Sequence, residues 1–355
     1  MVQTIEIRPR RDVAREKWDA FVEANDEAWF WHRGDLIEAL ALWHDHQDAS
    51  FAVVDRRGAL LALMPLHRKV VRVARVVPIV HFTSLGGPAC AKALSSSERG
   101  KVLSVLRGHL LGLILKHNAL ALEVQVAPLT PSLNGASAPK YNPLILAGLA
   151  NTQTETWMVD LTGTPDEIRK RYSESTRQEL RKATKADIQL REAAGTKDLD
   201  IYYKLHLETY HRTGARPHPF DYFQAIFEKF QPAGLARILF AERQGKVVAA
   251  QNTGLYKAGA FYWTGASISE KEGGENRLLL DAQIMAARAG GFTRYETGQA
   301  FVNTTDAKER GLSHFKRSFG ASLHPYYRGV LNSARLSSRI IWGLWAMYRT
   351  LRTMP

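Results

Sequence analysis

The 355-residue sequence predicts an α/β protein of two lobes, mixed sheets flanked by helices, and three observations lead there. Compact domains usually hold about 100 to 200 residues, so this length calls for two cores. Helical spacing of apolar residues alternates along the chain with short apolar runs of strand type. The same order of elements, helices, three strands, a helix and a strand, is met once in each half. Hydrophobic residues make up 45% and charged residues 23% of the chain, which excludes wholesale disorder, a collagen-like repeat and a polytopic membrane protein.

In the first half, Val13, Trp18, Phe21 and Val22 fall at helical spacing, and a second helix is expected from Leu36 to Trp43. SFAVVD, a turn at Arg56, Arg57 and Gly58, and ALLALMPL read as a hairpin, and KVVRVARVV as a third strand. After LGGP at Leu85 to Pro88 comes a strong helix from Ser96 to Lys116, then a buried strand in ALALEVQV. Proline, glycine, serine and asparagine crowd the segment from Pro128 to Pro143 and mark a loop. Residues 142–151 are expected to run over the surface as the linker.

The second half opens with the strand TETWMVDL. Thr164 and Pro165 start a helix through DEIRKRYSESTRQELRKA, whose alternating charge suits an exposed face. Helices follow over Leu199 to Tyr210 and Asp221 to Phe230. Next come a hairpin turning at Gly245, the strand AFYWTGA, a helix from about Arg277 to Ala289, and the strand TRYETG. The boundaries drawn are 1–150, 151–334 and a basic amphipathic C-terminal helix over 335–355. The two lobes are expected to share one strand order.

Lysine and arginine exceed aspartate and glutamate by 13, which favours a phosphate-bearing or anionic-surface partner without choosing among nucleic acid, nucleotide, coenzyme A and lipid. The single cysteine, Cys90, allows no internal disulfide and fits a reducing cytoplasm. The first 18 residues lack an apolar stretch after their charges, unlike a secretory signal. His206 and His211 are five apart, about 140° around a helix, so they do not form the one-face pair of a zinc helix.

Several stretches carry a resemblance. WMVDLTGTPDEIRKRYSESTRQELRKATKADIQL, LETYHRTG, and the succession from YWTGA through YETG to HFKRSFG together resemble the C-terminal domain of FemABX-type transferases, over most of Trp157 to Tyr327. In the first half only the MPL hairpin and LGGP match. The resemblance implies two lobes of the GNAT acyltransferase fold and transfer of an acyl or aminoacyl group to an amine. It implies aminoacyl-tRNA or an acyl-CoA as co-substrate, with no permanently bound cofactor. The acceptor amine would belong to a cell-wall precursor such as that of peptidoglycan, a glycan or a small molecule. The long helical arm of the larger Fem proteins is missing between Leu190 and Leu235.

The candidate residues each admit two readings. Arg177 and Arg181, one helical turn apart with Lys182 and Lys185 nearby, lie in a segment (169–197) of nine basic and four acidic side chains. They either grip phosphate through the guanidinium fork or form a solvated face with ion pairs such as Glu174 with Arg177. Gly273 and Gly274 before a helix either present backbone N–H groups to a pyrophosphate or simply turn the chain. Glu296 ends a strand, where ligands meet open sheets, and either handles the acceptor amine or bonds to backbone. Trp263 packs in the sheet or on the ligand. Lys316 stands beside Phe315 and Phe319, the buried pair of its helix. A lysine there complements the helix dipole, whereas the resemblance implies that it stabilises the oxyanion of acyl transfer. The tail 335–355 is expected either to cap the second lobe or to rest on an anionic membrane at the inner face. The rival reading of the whole chain is a non-catalytic RNA- or membrane-surface-binding protein on the same fold.

Overall fold

The computed structural model describes residues 5–43, 45–73, 77–133, 138–268 and 273–333. The tail expected as a helix at 335–355 lies outside them. The chain divides into two compact units, one from the N-terminus to Gln153 together with the stretch from Tyr326, the other Thr154–Pro325. The second boundary therefore falls at 325 rather than 334, because the end of the last strand pairs in the first unit.

The first unit begins with β1 (Ile5–Pro9), α1 (Arg15–Ala24), α2 (Gly34–Ala41) and β2 (His46–Asp48). It continues with β3 (Phe51–Asp55), β4 (Leu60–Met64), β5 (His67–Val73), β6 (Val77–Ser84) and β7 (Ala89–Cys90). Then come α3 (Ser96–Lys116), β8 (Ala121–Val126) and β9 (Ala150–Asn151). The run read as one third strand is two antiparallel strands, β5 and β6, paired from His67↔Thr83 to Val73↔Val77. A continuous apolar and basic run conceals a reversal, since its residue types suit both arms of a hairpin. α3 has the predicted bounds. Ser95 and Glu98 form its capping box, and Val102, Leu103, Leu106, Leu110 and Ile114 make its buried face. The expected surface linker is instead partly core: Leu144, Ala147 and Leu149 are buried with Leu106, Leu110 and Val126. These three apolar side chains within six residues of a Pro-started turn are enough to draw it inward.

The second unit contains β10 (Thr154–Asp160), α4 (Pro165–Lys170), α5 (Glu174–Lys185), β11 (Ile188–Glu192), α6 (Thr196–Thr213) and α7 (Phe220–Ala225). Then follow β12 (Ala236–Arg243), β13 (Lys246–Tyr256), β14 (Gly259–Ser267), α8 (Glu275–Ala289), β15 (Arg294–Ala300), α9 (Ala307–Arg317) and the start of β16 (Ser322–Asn332). The single helix expected from Asp166 to Ala183 is two, α4 and α5. Ser173 ends the first by capping the second, its hydroxyl accepting from Thr176 N at 3.2 Å, while its own N–H donates to Ser318 O at 2.8 Å. Tyr172 at the break is buried against Phe319.

Each unit holds one parallel strand pair bridged by a long helix, β6 with β8 across α3 and β14 with β15 across α8. In the second unit the sheet runs β11-β12-β13-β14-β15-β10 without a break. In the first, β1-β3-β4-β7 form a sheet apart from β2-β5-β6-β8. The shared strand order is thus confined to the parallel pair and its crossover, because the extra β5–β6 hairpin separates the preceding strands from it.

Candidate functional site

The parallel pair of the second unit opens as it runs. β14 and β15 are paired only over Gly259↔Arg294, Ala260↔Tyr295 and Phe261↔Glu296, yet β14 continues to Ser267 and β15 to Ala300. A bulge explains the divergence. The β13–β14 register jumps from Asn252↔Thr264 to Thr253↔Tyr262, leaving Trp263 as an extra residue that turns β14 away. Beyond Glu296, backbone on the β14 side of β15 is released from the ladder, at the carboxyl end of a parallel pair where ligands meet open sheets.

The β10–β15 register jumps from Met158↔Glu296 to Trp157↔Gly298, leaving Thr297 as an extra residue in β15, and Lys316 from α9 lies against the strand at this bulge. Its ammonium donates to Gln299 O at 3.0 Å and stands 5.5 Å from the Phe301 ring centroid. Gly298 has φ +103, and a Cβ there would be 3.0 Å from Lys316 Nζ, so glycine provides both the backbone conformation and the room for the ammonium. Burial pushes the Lys316 amine down to about 8, partly countered by the Glu296 carboxylate. Glu296 is 7% exposed and accepts from Thr156 Oγ1 at 2.6 Å; burial raises its carboxyl, against the Thr156 bond and the Lys316 charge. α9 is fixed from two sides. Phe315 packs on Phe319 at 5.5 Å, and Trp157 Nε1 donates to Ser313 Oγ at 2.9 Å.

A second feature of this unit is a cleft of about 290 Å³ lined by Glu179, Lys182, Ala183, Ala186, Arg243, Gly273 and Gly274. The α5 residues among them fall at i, i+3, i+4 and i+7, one helical face. Gly274, at φ +96, is the N-cap of α8 and offers no side chain to cap that end, so among the described residues its first N–H groups face solvent or a ligand. A Cβ on Gly274 would stand 2.7 Å from Ala183 Cβ, which is why α5 can approach the turn. Arg243 pairs with Glu275, 1% exposed, at 2.8 Å and offsets the carboxylate beside the helix start.

Two of the expected residues do other work. Arg177 donates from Nη1 to Lys170 O at 3.0 Å and to Tyr172 O at 2.5 Å, closing the end of α4 rather than facing a ligand. The ion pair expected between it and Glu174 is replaced by Gln178 Nε2 donating to Glu174 Oε1 at 3.1 Å. Arg181 is exposed and does not line the cleft; Lys182 does. Trp263 sits in an aromatic layer with Phe230 and Phe261, its Nε1 donating to Tyr222 OH at 2.8 Å. Thr156, Gly298 and Arg243 were not singled out from the sequence. Gly298 alone left a signal, as the glycine of YETG directly after the acidic residue.

The counterpart in the first unit is built differently. β6 and β8 stay paired from His81↔Ala121 to Ser84↔Val124, and the start of α3 is occupied by its own Ser95 and Glu98. A smaller cavity of about 180 Å³ lies there, with apolar walls such as Leu103, Val126 and Leu144 and the paired Arg99 and Glu27 at 2.7 Å. Cys90 is buried, its thiol pushed up to about 12, which leaves no thiolate for nucleophilic chemistry.

Residues 170–317 match the model of the Acetyltransferase (GNAT) domain. This part of the chain is similar to that acetyltransferase domain. The matched span contains α5, the open β14–β15 pair and Lys316, so the sequence signal and the site coincide. The solved structure of FemX has the same fold, with a TM-score of 0.67 at 14% identity over 96% of this chain and 99% of that one. The C-terminal domain of a putative lysylphosphatidylglycerol synthetase from Agrobacterium fabrum follows with 0.55 at 15% identity, covering 93% and 94%. A tandem GNAT protein from the clavulanic acid biosynthesis pathway gives 0.55 at 13% identity, covering 94% and 99%. No curated protein sequence matches the chain. The fold implied by the FemABX resemblance, two GNAT-like lobes, is thus the observed one.

Proposed function

We propose that the chain moves an acyl or aminoacyl group from a carrier, aminoacyl-tRNA or an acyl-CoA, to an amine of a cell-wall precursor, a glycan or a small molecule. The observation that carries this reading is the partly buried ammonium of Lys316 held at Gly298, just where β14 and β15 part. The acceptor amine attacks the acyl carbonyl; the new C–N bond forms, and the bond to the carrier oxygen or sulfur breaks. The proton of the attacking amine ends on that departing atom. Lys316 has three N–H donors and spends one on Gln299 O, so its charge and other donors serve the oxygen that becomes negative in between. Glu296 acts through Lys316, its carboxylate favouring the ammonium over the amine. Lys182, Gly273 and the uncapped start of α8 would hold phosphates of the carrier, with Arg243 cancelling Glu275. The fold shared with FemX and with a lysylphosphatidylglycerol synthetase domain supports an aminoacyl donor, and the GNAT match supports a CoA ester.

The test is direct. The chain is incubated with aminoacyl-tRNA and with acetyl-CoA in turn, each against a peptidoglycan precursor and a panel of amino sugars, and products are read by mass. A product carrying the donor's acyl group, lost in Lys316→Ala, is expected. Donor hydrolysis without transfer across the panel, or transfer that Lys316→Ala leaves intact, would overturn the assignment.

A further inference from the structure

We infer that the first unit docks on a bilayer carrying anionic lipid, through the outer face of α3 and the turn that follows β8. This surface is separate from the transfer site and does not rest on the reading of it. The turn exposes Tyr141 at 65%, Ile145 at 47% and Leu146 at 59%, and α3 exposes Leu111 and Leu115 at 38% and 55%. Isolated surface leucines are ordinary, but these lie on two elements packed against each other, α3 and the turn. Arg107 lies directly against Gly148 at the end of the turn, and Leu111 and Leu115 follow it on the helix by one turn and two. Leu144, Ala147 and Leu149 anchor the turn in the core, which holds Ile145 and Leu146 outward.

The outer arc of α3 is also unusually smooth. Gly100, Ser104, Gly108, Leu111, Gly112 and Leu115 fall within about 120° of one another around the helix. Among the described residues, Cβ atoms added at Gly100, Gly108 and Gly112 would meet nothing within 4 Å, so no packing among those residues accounts for three helix-weakening glycines. α3 therefore presents a low face from which two leucines project, beside a tyrosine and two aliphatic side chains. That is the form of a surface that inserts shallowly between headgroups.

Charge selects the occupant. Between Arg99 and Thr154 the only acidic residue is Glu123, which pairs with Arg328, while α3 carries Lys101, Arg107 and Lys116, and Lys140 directly precedes Tyr141. A second copy meeting this face symmetrically would set cations against cations. Anionic headgroups meet the same cations favourably while the apolar side chains enter the acyl boundary. Among the described residues no helix is long and apolar enough to cross a membrane, so the contact is peripheral.

The experiment uses the full chain and sedimentation with vesicles of phosphatidylcholine alone or mixed with phosphatidylglycerol. Wild type is expected to partition to the mixed vesicles, and more weakly as salt rises. Leu115→Glu with Leu146→Glu, both exposed, is expected to weaken partitioning at least about tenfold while the melting temperature stays put. Equal partitioning of variant and wild type, absence of a preference for phosphatidylglycerol, or no vesicle binding by wild type would each overturn the inference. Light scattering decides the remaining case: a wild-type dimer that the same double variant dissociates would assign the face to a second copy instead.

Discussion

Replacing Lys316 by methionine should make the protein more stable and nearly inactive. Burial brings the Lys316 amine from the ordinary 10.5 to about 8, so holding the charge at neutral pH costs on the order of 3 kcal/mol, at about 1.4 kcal/mol per tenfold change in the proton equilibrium. Methionine nearly matches the stem and removes that cost, but it leaves Gln299 O without the donor now at 3.0 Å, a loss of about 1 to 2 kcal/mol. The balance is a gain of roughly 1 to 2 kcal/mol, or about 2 to 8 °C in melting temperature for a unit of this size. The sign with pH is fixed as well. Between about 8 and 10.5 the unfolded chain binds the proton that the folded one has released, so wild-type stability gains from this group as pH rises through that window. The advantage of Lys316→Met should therefore shrink from pH 7 to pH 10. Turnover should fall by about 10² or more, since the lost charge acts on the transition state. Scanning calorimetry across that range, with a transfer assay at neutral pH, checks both halves. A methionine variant less stable than wild type at pH 7, or one with undiminished turnover, would refute the account of Lys316 as a strained functional cation.

The neighbouring residues give further expectations. Turnover should fall on the alkaline side as Lys316 loses its proton near 8, and Glu296→Gln, by removing the carboxylate that favours the ammonium, should move that fall to lower pH in a pH–rate profile. Gly298→Ala sets a Cβ 3.0 Å from Lys316 Nζ at φ +103 and should cost about 1 to 2 kcal/mol of stability by denaturant titration, with turnover down more than tenfold. Arg177 and Lys182 should separate by readout. Arg177→Ala, which frees two carbonyls at the end of α4, should lower the melting temperature, while Lys182→Ala should leave it unchanged and raise the KM for the donor.

Local chemistry made much of this protein legible. α3 began and ended where its capping box and final lysine placed it, and Thr164 with Glu167 capped α4 as their spacing required. The hairpin turning at Gly245 and the strands around Glu296 were equally plain, because alternation and turn residues act within a few positions of one another. The residue types at Gly273, Gly274, Glu296 and Lys316 were visible too, but not their surroundings. Lys316 and Gly298 are 18 positions apart, and only the packing of α9 on β15 brings the ammonium to the one residue without a side chain. Arg177 shows the opposite case: its spacing from Arg181 suits a phosphate grip, yet Ser173 breaks the helix and hands the guanidinium two bare carbonyls. The parting of β14 from β15 coincides with one extra residue on each strand, Trp263 and Thr297, in registers that only the neighbouring strands define. The sequence by itself determined the elements, their order and the kind of chemistry they carry, since caps, turns and periodicity are short-range. Which cation is desolvated, which is merely structural and where the sheet opens were decided by the tertiary structure, because desolvation, strand register and close approach are properties of residues distant in the chain.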